Sequence, residues 1–90
     1  MFHSFVWYNT QMGYGSVIKK IRLLNNMSTR QFGELVGFSY SYVAQLEKEI
    51  SYKGKSRLSP SIDILKQICE KSGYSFRQFL EEAGYIEPQN

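Results

Sequence analysis

The chain has 90 residues, 42% of them hydrophobic and 16% aromatic, a formal net charge of +3 and one cysteine. That length suits one small domain with a single core, short of the scaffold a catalytic cleft usually needs, and the hydrophobic content excludes a disordered chain. The lone Cys69 excludes an internal disulfide and a cysteine-rich zinc site, and no apolar run is long enough to span a membrane.

Residues 1–15, MFHSFVWYNTQMGYG, hold five aromatic side chains and no acid or strong base. They lack the basic start and aliphatic centre of a signal peptide, so a cytoplasmic protein with no membrane partner is expected. FHSFVWY reads as a short β-like or irregular apolar run bounded by Asn9, Thr10, Gly13 and Gly15. Two readings stay open. Phe2, Phe5, Val6, Trp7 and Tyr8 form an arm that packs on the domain or on a second copy, or the first eleven residues are a disordered extension and Met12 is an alternative start. His3 has no second ligand near it and is assigned neither catalysis nor metal.

From Ser16 the pattern turns helical, with Val17, Ile18, Ile21 and Leu24 on one stripe and Lys19, Lys20 and Leu23 off it. Asn25 and Asn26 end this first helix. Ser28 or Thr29 caps a second, in which Phe32, Leu35 and Val36 share a face, and Gly37 stops it so that Phe38 folds back. Ser39 opens a third helix with Val43, Leu46 and Ile50 inward, leaving Tyr40, Ser41, Tyr42 and Gln45 to point elsewhere. The linker KEISYKGKSRLSP follows. Its Gly54–Lys55–Ser56 is a poor phosphate loop, because Glu49 stands where that motif needs its first glycine. Ser59, Pro60 and Ser61 introduce a fourth helix (Ile62, Leu65, Ile68, Cys69) closed by Lys71 and Gly73. Ser75 caps a fifth (Phe76, Phe79, Leu80, Ala83) ended by Gly84, with Tyr74 and Tyr85 covering the core edge. The expected organisation is an arm over 1–15, one domain over 16–86 and a tail over 87–90.

Charge is unevenly spread. Lys19, Lys20, Arg22 and Arg30 lie in a stretch without acids, Lys48, Lys53, Lys55 and Arg57 face only Glu49, and beyond Ile62 acids outnumber bases. One face toward a polyanion would produce this asymmetry.

The segment from Thr29 to Lys48 resembles the helix-turn-helix of the phage-repressor and Cro-like (XRE-type) family. Phe32, Val36, Phe38, Val43 and Leu46 fall where that family packs its two helices, and Gly37 falls at its turn. Gly33 replaces the small residue, usually alanine, at the closest approach, a departure read as costing about 1 kcal/mol of helix propensity. Arg22 and Glu47 occupy the positions of a pair that bridges helices in many relatives, and the likeness runs from Val17 to Leu80. The resemblance implies an all-α, five-helix repressor-like domain that binds double-stranded DNA as a transcriptional regulator, a repressor. The third helix would enter the major groove with Tyr40, Ser41, Gln45 and Tyr42 toward the bases. Thr29, Arg30 and Ser39 would meet phosphates. The linker is about seven residues longer than in the family; Lys48, Lys53, Lys55 and Arg57 either extend the phosphate contact or belong to a flexible basic loop. One such domain reads few base pairs, so a homodimer on a palindromic site is expected. The alternative is a protein-interaction module or antitoxin-like protein on the same fold, with the aromatic arm as its contact. The residues offer no catalytic constellation and no metal ligands, and no cofactor is expected.

Overall fold

The computed structural model describes residues 12–88. They form five helices: α1 (Tyr14–Leu24), α2 (Thr29–Val36), α3 (Tyr40–Lys48), α4 (Ile62–Ser72) and α5 (Phe76–Glu82). The expected aromatic arm lies outside the described residues, apart from its last four positions.

Serine chemistry sets most of the helix starts. Ser28 accepts from Gln31 N–H at 3.2 Å while the Gln31 side chain accepts from Ser28 N–H at 2.9 Å, a reciprocal cap. Ser39, Ser61 and Ser75 accept from Tyr42, Ile64 and Gln78 N–H as one-way caps. Pro60 stands immediately before the cap of α4. Gly37 and Gly73 end α2 and α4 at φ of 90° and 73°, in the left-handed region where a side chain would be strained. From α4, Gln67 Nε2 donates to the Val36 carbonyl at 2.8 Å, satisfying a terminal acceptor of α2.

The core collects Val17, Ile18 and Ile21 from α1, Phe32 and Val36 from α2, and Val43 and Leu46 from α3. Leu65, Ile68 and Cys69 from α4, Phe79 from α5 and Tyr14 at the start of α1 complete it. Lys20 Nζ lies 2.7 Å from Glu82 Oε1, and Tyr74 Oη donates to the same oxygen at 2.7 Å, tying α1 to α5. No helix among the described residues is long and apolar enough to cross a membrane.

Several expectations change at helix ends. Tyr14, expected in the arm, is 6% exposed and opens α1, two residues before the expected boundary. Leu24 is 69% exposed, because the chain turns at Asn25 and Asn26 and it is Met27 that packs on the core. Ile50 is exposed, because Glu49 at φ 61° ends α3 and the helical register no longer applies. Ile62 is exposed at the first residue of α4, one turn before that helix meets the core at Leu65. Of the two tyrosines expected at the core edge, Tyr74 is half-buried and Tyr85 is exposed.

The basic linker is folded. Ile50 and Arg57 form an antiparallel bridge, Ser51 N–H donates to Ser56 O at 2.8 Å and Leu58 N–H to Glu49 O at 3.0 Å. The Tyr14 hydroxyl donates to the Leu58 carbonyl. The segment thus forms a short hairpin pinned to the start of α1.

Candidate nucleic-acid interface

The α2–turn–α3 unit packs backbone against backbone. A Cβ on Gly33 would sit on the Phe38 carbonyl oxygen and within 3.3 Å of the Ser39 carbonyl carbon. Gly33 is therefore a requirement of the turn, not the tolerated departure expected from sequence. Phe38 folds back over the joint, its N–H donating to Gly33 O at 2.9 Å.

Two further contacts fix α3 from the α1 side. Arg22 donates from Nε to Glu47 Oε2 at 2.6 Å, from Nη2 to Glu47 Oε1 at 3.1 Å, and from Nη1 to Met27 O at 3.0 Å. The side chains are 13% and 9% exposed, and the hydrogen bonds to Glu47 outweigh burial to raise the Arg22 pKa. Nearby, Gly15 lets α1 cross close over the end of α3, since a Cβ there would lie 2.6 Å from the Leu46 carbonyl oxygen.

With Val43 and Leu46 inward, the opposite face of α3 is Ser41, Ala44, Gln45 and Lys48, at i, i+3, i+4 and i+7. Tyr40, half exposed, stands at the N-terminal end of α3 with the Arg30 guanidinium 4.3 Å from its ring centroid. This stack brings an expected phosphate contact and an expected base contact together across the turn. Thr29 is the first residue of α2 and half-buried, and Ser39 is exposed at the cap of α3.

Tyr42 departs from the expected set. Its ring packs edge-on against Phe38 with centroids 5.3 Å apart, and burial raises its phenol pKa. It covers the joint between α2 and α3 instead of standing free on the outer face.

At the other end of that face, Lys48 Nζ lies 3.4 Å from Tyr52 Oη and 5.7 Å from the Tyr52 ring centroid. Lys53 and Lys55 are exposed on the hairpin, and Arg57, with a side chain 76% exposed, lies 3.4 Å from Glu49 Oε1. Sequence reasoning missed Ala44, legible from the four-residue helical face, and Tyr52 and Glu49, which only the fold of the linker brings in. Cys69 is fully buried, its thiol pushed up to about 11 by burial and then by Glu70, which leaves no thiolate nucleophile at neutral pH.

No family model and no curated protein matches the sequence. Among solved structures, the chain is similar to the crystal structure of the clp gene regulator ClgR from C. glutamicum, with a TM-score of 0.59 and 22% identity over 86% of this chain and 91% of that one. The likeness is one of fold. It supports a helix-turn-helix architecture without singling out the phage-repressor and Cro-like branch.

Proposed function

We propose that this domain is a transcriptional regulator that binds double-stranded DNA, with α3 in the major groove. The observation that carries the reading is the polar face Ser41–Ala44–Gln45–Lys48, braced from behind by Arg22–Glu47 and flanked by Arg30 at one end and the basic hairpin at the other. A groove about 12 Å wide admits one such helix. Gln45 supplies the donor and acceptor that adenine's major-groove edge requires, Ser41 is a versatile small partner, and the Ala44 methyl and Tyr40 ring suit thymine methyls. Thr29, Arg30, Ser39, Lys48, Lys53, Lys55 and Arg57 supply phosphate contacts that set register without reading sequence. Tyr42 is left out of the base-reading set. A homodimer on a palindrome, occupying an operator and blocking polymerase, completes the proposal.

With about five basic side chains on phosphates, the logarithm of affinity should fall against log salt with a slope of roughly −4 to −5 per subunit. Lys55→Ala should weaken all sequences alike and reduce that slope by about one. An unchanged slope removes the hairpin from the interface.

A protein-binding role on the same fold is favoured by a separate observation: Leu23 and Leu24 are 57% and 69% exposed on the outer face of α1. It predicts no sequence preference on DNA.

A further inference from the structure

The Gln45 carboxamide is held at both ends within the protein. Its Oε1 accepts from the backbone N–H of Tyr52 at 3.0 Å, and its Nε2 lies 3.3 Å from Ser41 O and 3.4 Å from Ser41 Oγ. A backbone N–H can only donate, so the atom facing it is the amide oxygen and the nitrogen must face Ser41. The donor in turn is held by the hairpin, through the Ile50–Arg57 bridge and the Ser51–Ser56 hydrogen bond, while the Tyr52 side chain rests beside Lys48 of α3.

We propose that the backbone N–H of Tyr52 is a positioning group that fixes which way the Gln45 amide presents its donor and acceptor, so that the linker hairpin sets base preference without touching a base. The inference rests on the reading of α3 as the groove-entering helix. An amide nitrogen carries two hydrogens and its oxygen two lone pairs; with one hydrogen shared between Ser41 O and Oγ in a three-centre bond and one lone pair taken by Tyr52 N–H, one donor and one acceptor stay free for adenine N7 and N6–H. With oxygen on the hairpin side and nitrogen on the Ser41 side, that pairing runs in one direction only. A base with its donor and acceptor reversed meets donor against donor. Released from Tyr52, the carboxamide can flip, both orders become available, and discrimination weakens.

The test is selection from a random duplex DNA pool by the full chain and by Gln45→Ala, Tyr52→Pro and Tyr52→Ala. Gln45→Ala identifies the position that Gln45 reads. Tyr52→Pro, which has no N–H, should lower the preference at that one position by about threefold to tenfold, the usual net effect of a hydrogen bond, and leave the other positions unchanged. Tyr52→Ala, which keeps the N–H and loses the ring, should retain the preference. A Tyr52→Pro consensus identical to the wild-type one overturns this inference alone. A pool that the wild-type chain does not enrich overturns the groove-reading role and this inference with it. Should Tyr52→Pro lose its cooperative thermal transition, amide exchange decides: a Tyr52 amide protected in the wild type and released by Gln45→Ala supports the brace, and one that exchanges at the unbonded rate in the wild type overturns it.

Discussion

Glu49 stops one helix and caps another. At φ 61° it ends α3, and its Oε2 accepts from Gly15 N–H at 2.9 Å in the first turn of α1. The carboxylate sits where α1 leaves its N–H groups unpaired and its dipole is positive. Glu49→Ala should therefore destabilise the domain by about 1 kcal/mol, the usual effect of losing a cap, and Gly15→Ala by about 1–3 kcal/mol through the clash with the Leu46 carbonyl. Urea titrations of both variants measure this, and a Gly15→Ala protein as stable as wild type contradicts the close crossing.

The Arg22–Glu47 pair is mostly buried and doubly hydrogen-bonded, so its members depend on each other. Arg22→Ala or Glu47→Ala alone should cost about 3 kcal/mol by stranding a charge. The double replacement Arg22→Ala with Glu47→Ala should cost much less than the sum of the single losses. A double-mutant cycle in chemical denaturation reads the coupling, and additive losses exclude it.

Gly33 separates two physical expectations of opposite sign. Helix propensity alone says that Gly33→Ala gains about 1 kcal/mol. The backbone contact with Phe38 and Ser39 says that it loses about 1–3 kcal/mol, because carbonyl groups in a tight turn cannot yield as a flexible side chain can. The melting temperature of Gly33→Ala should fall, and a rise means that the turn is looser than described.

What was legible in the sequence follows the same division. Serine caps and the stop glycines act locally, so Ser28, Gly37, Ser75 and the five-helix order could be read directly, as could the placing of Ser41 and Gln45 away from the core, whereas the packing of Tyr42 on Phe38 depends on the joint between two helices. Periodicity carries no information on where a helix stops meeting its neighbours, which is why Leu24, Ile50 and Ile62 were expected inside. Tyr14 was hidden between Gly13 and Gly15, residues that look like breakers and instead permit close approach to Glu49 and the end of α3. The hairpin depends on pairs such as Glu49–Leu58 and Tyr14–Leu58, and no local pattern announces those.

Tyr14 also couples stability to alkaline pH. Burial first, and then the charge of Glu49, pushes its phenol from 10.0 up to about 12. Because the folded value is raised, the neutral phenol stabilises the fold fully below pH 10, and that contribution is lost as pH rises from the unfolded value through the folded one. Denaturation free energy should fall from pH 10 toward pH 12, and Tyr14→Phe should flatten the fall. Tyr42, Tyr74 and Tyr85, also raised chiefly by burial, leave a residual slope. An identical alkaline profile for Tyr14→Phe removes Tyr14 from the linkage.

Whether α3 reads bases is tested most directly by Gln45→Ala, with specific and random duplexes titrated side by side. A sequence enriched from a random pool by the wild-type chain should bear two half-sites about one helical turn apart. Gln45→Ala should bind it about 5- to 100-fold more weakly while binding random DNA almost as before, as expected when a bidentate base contact is lost. Equal losses on both duplexes, or no enriched sequence at low salt, contradict the account.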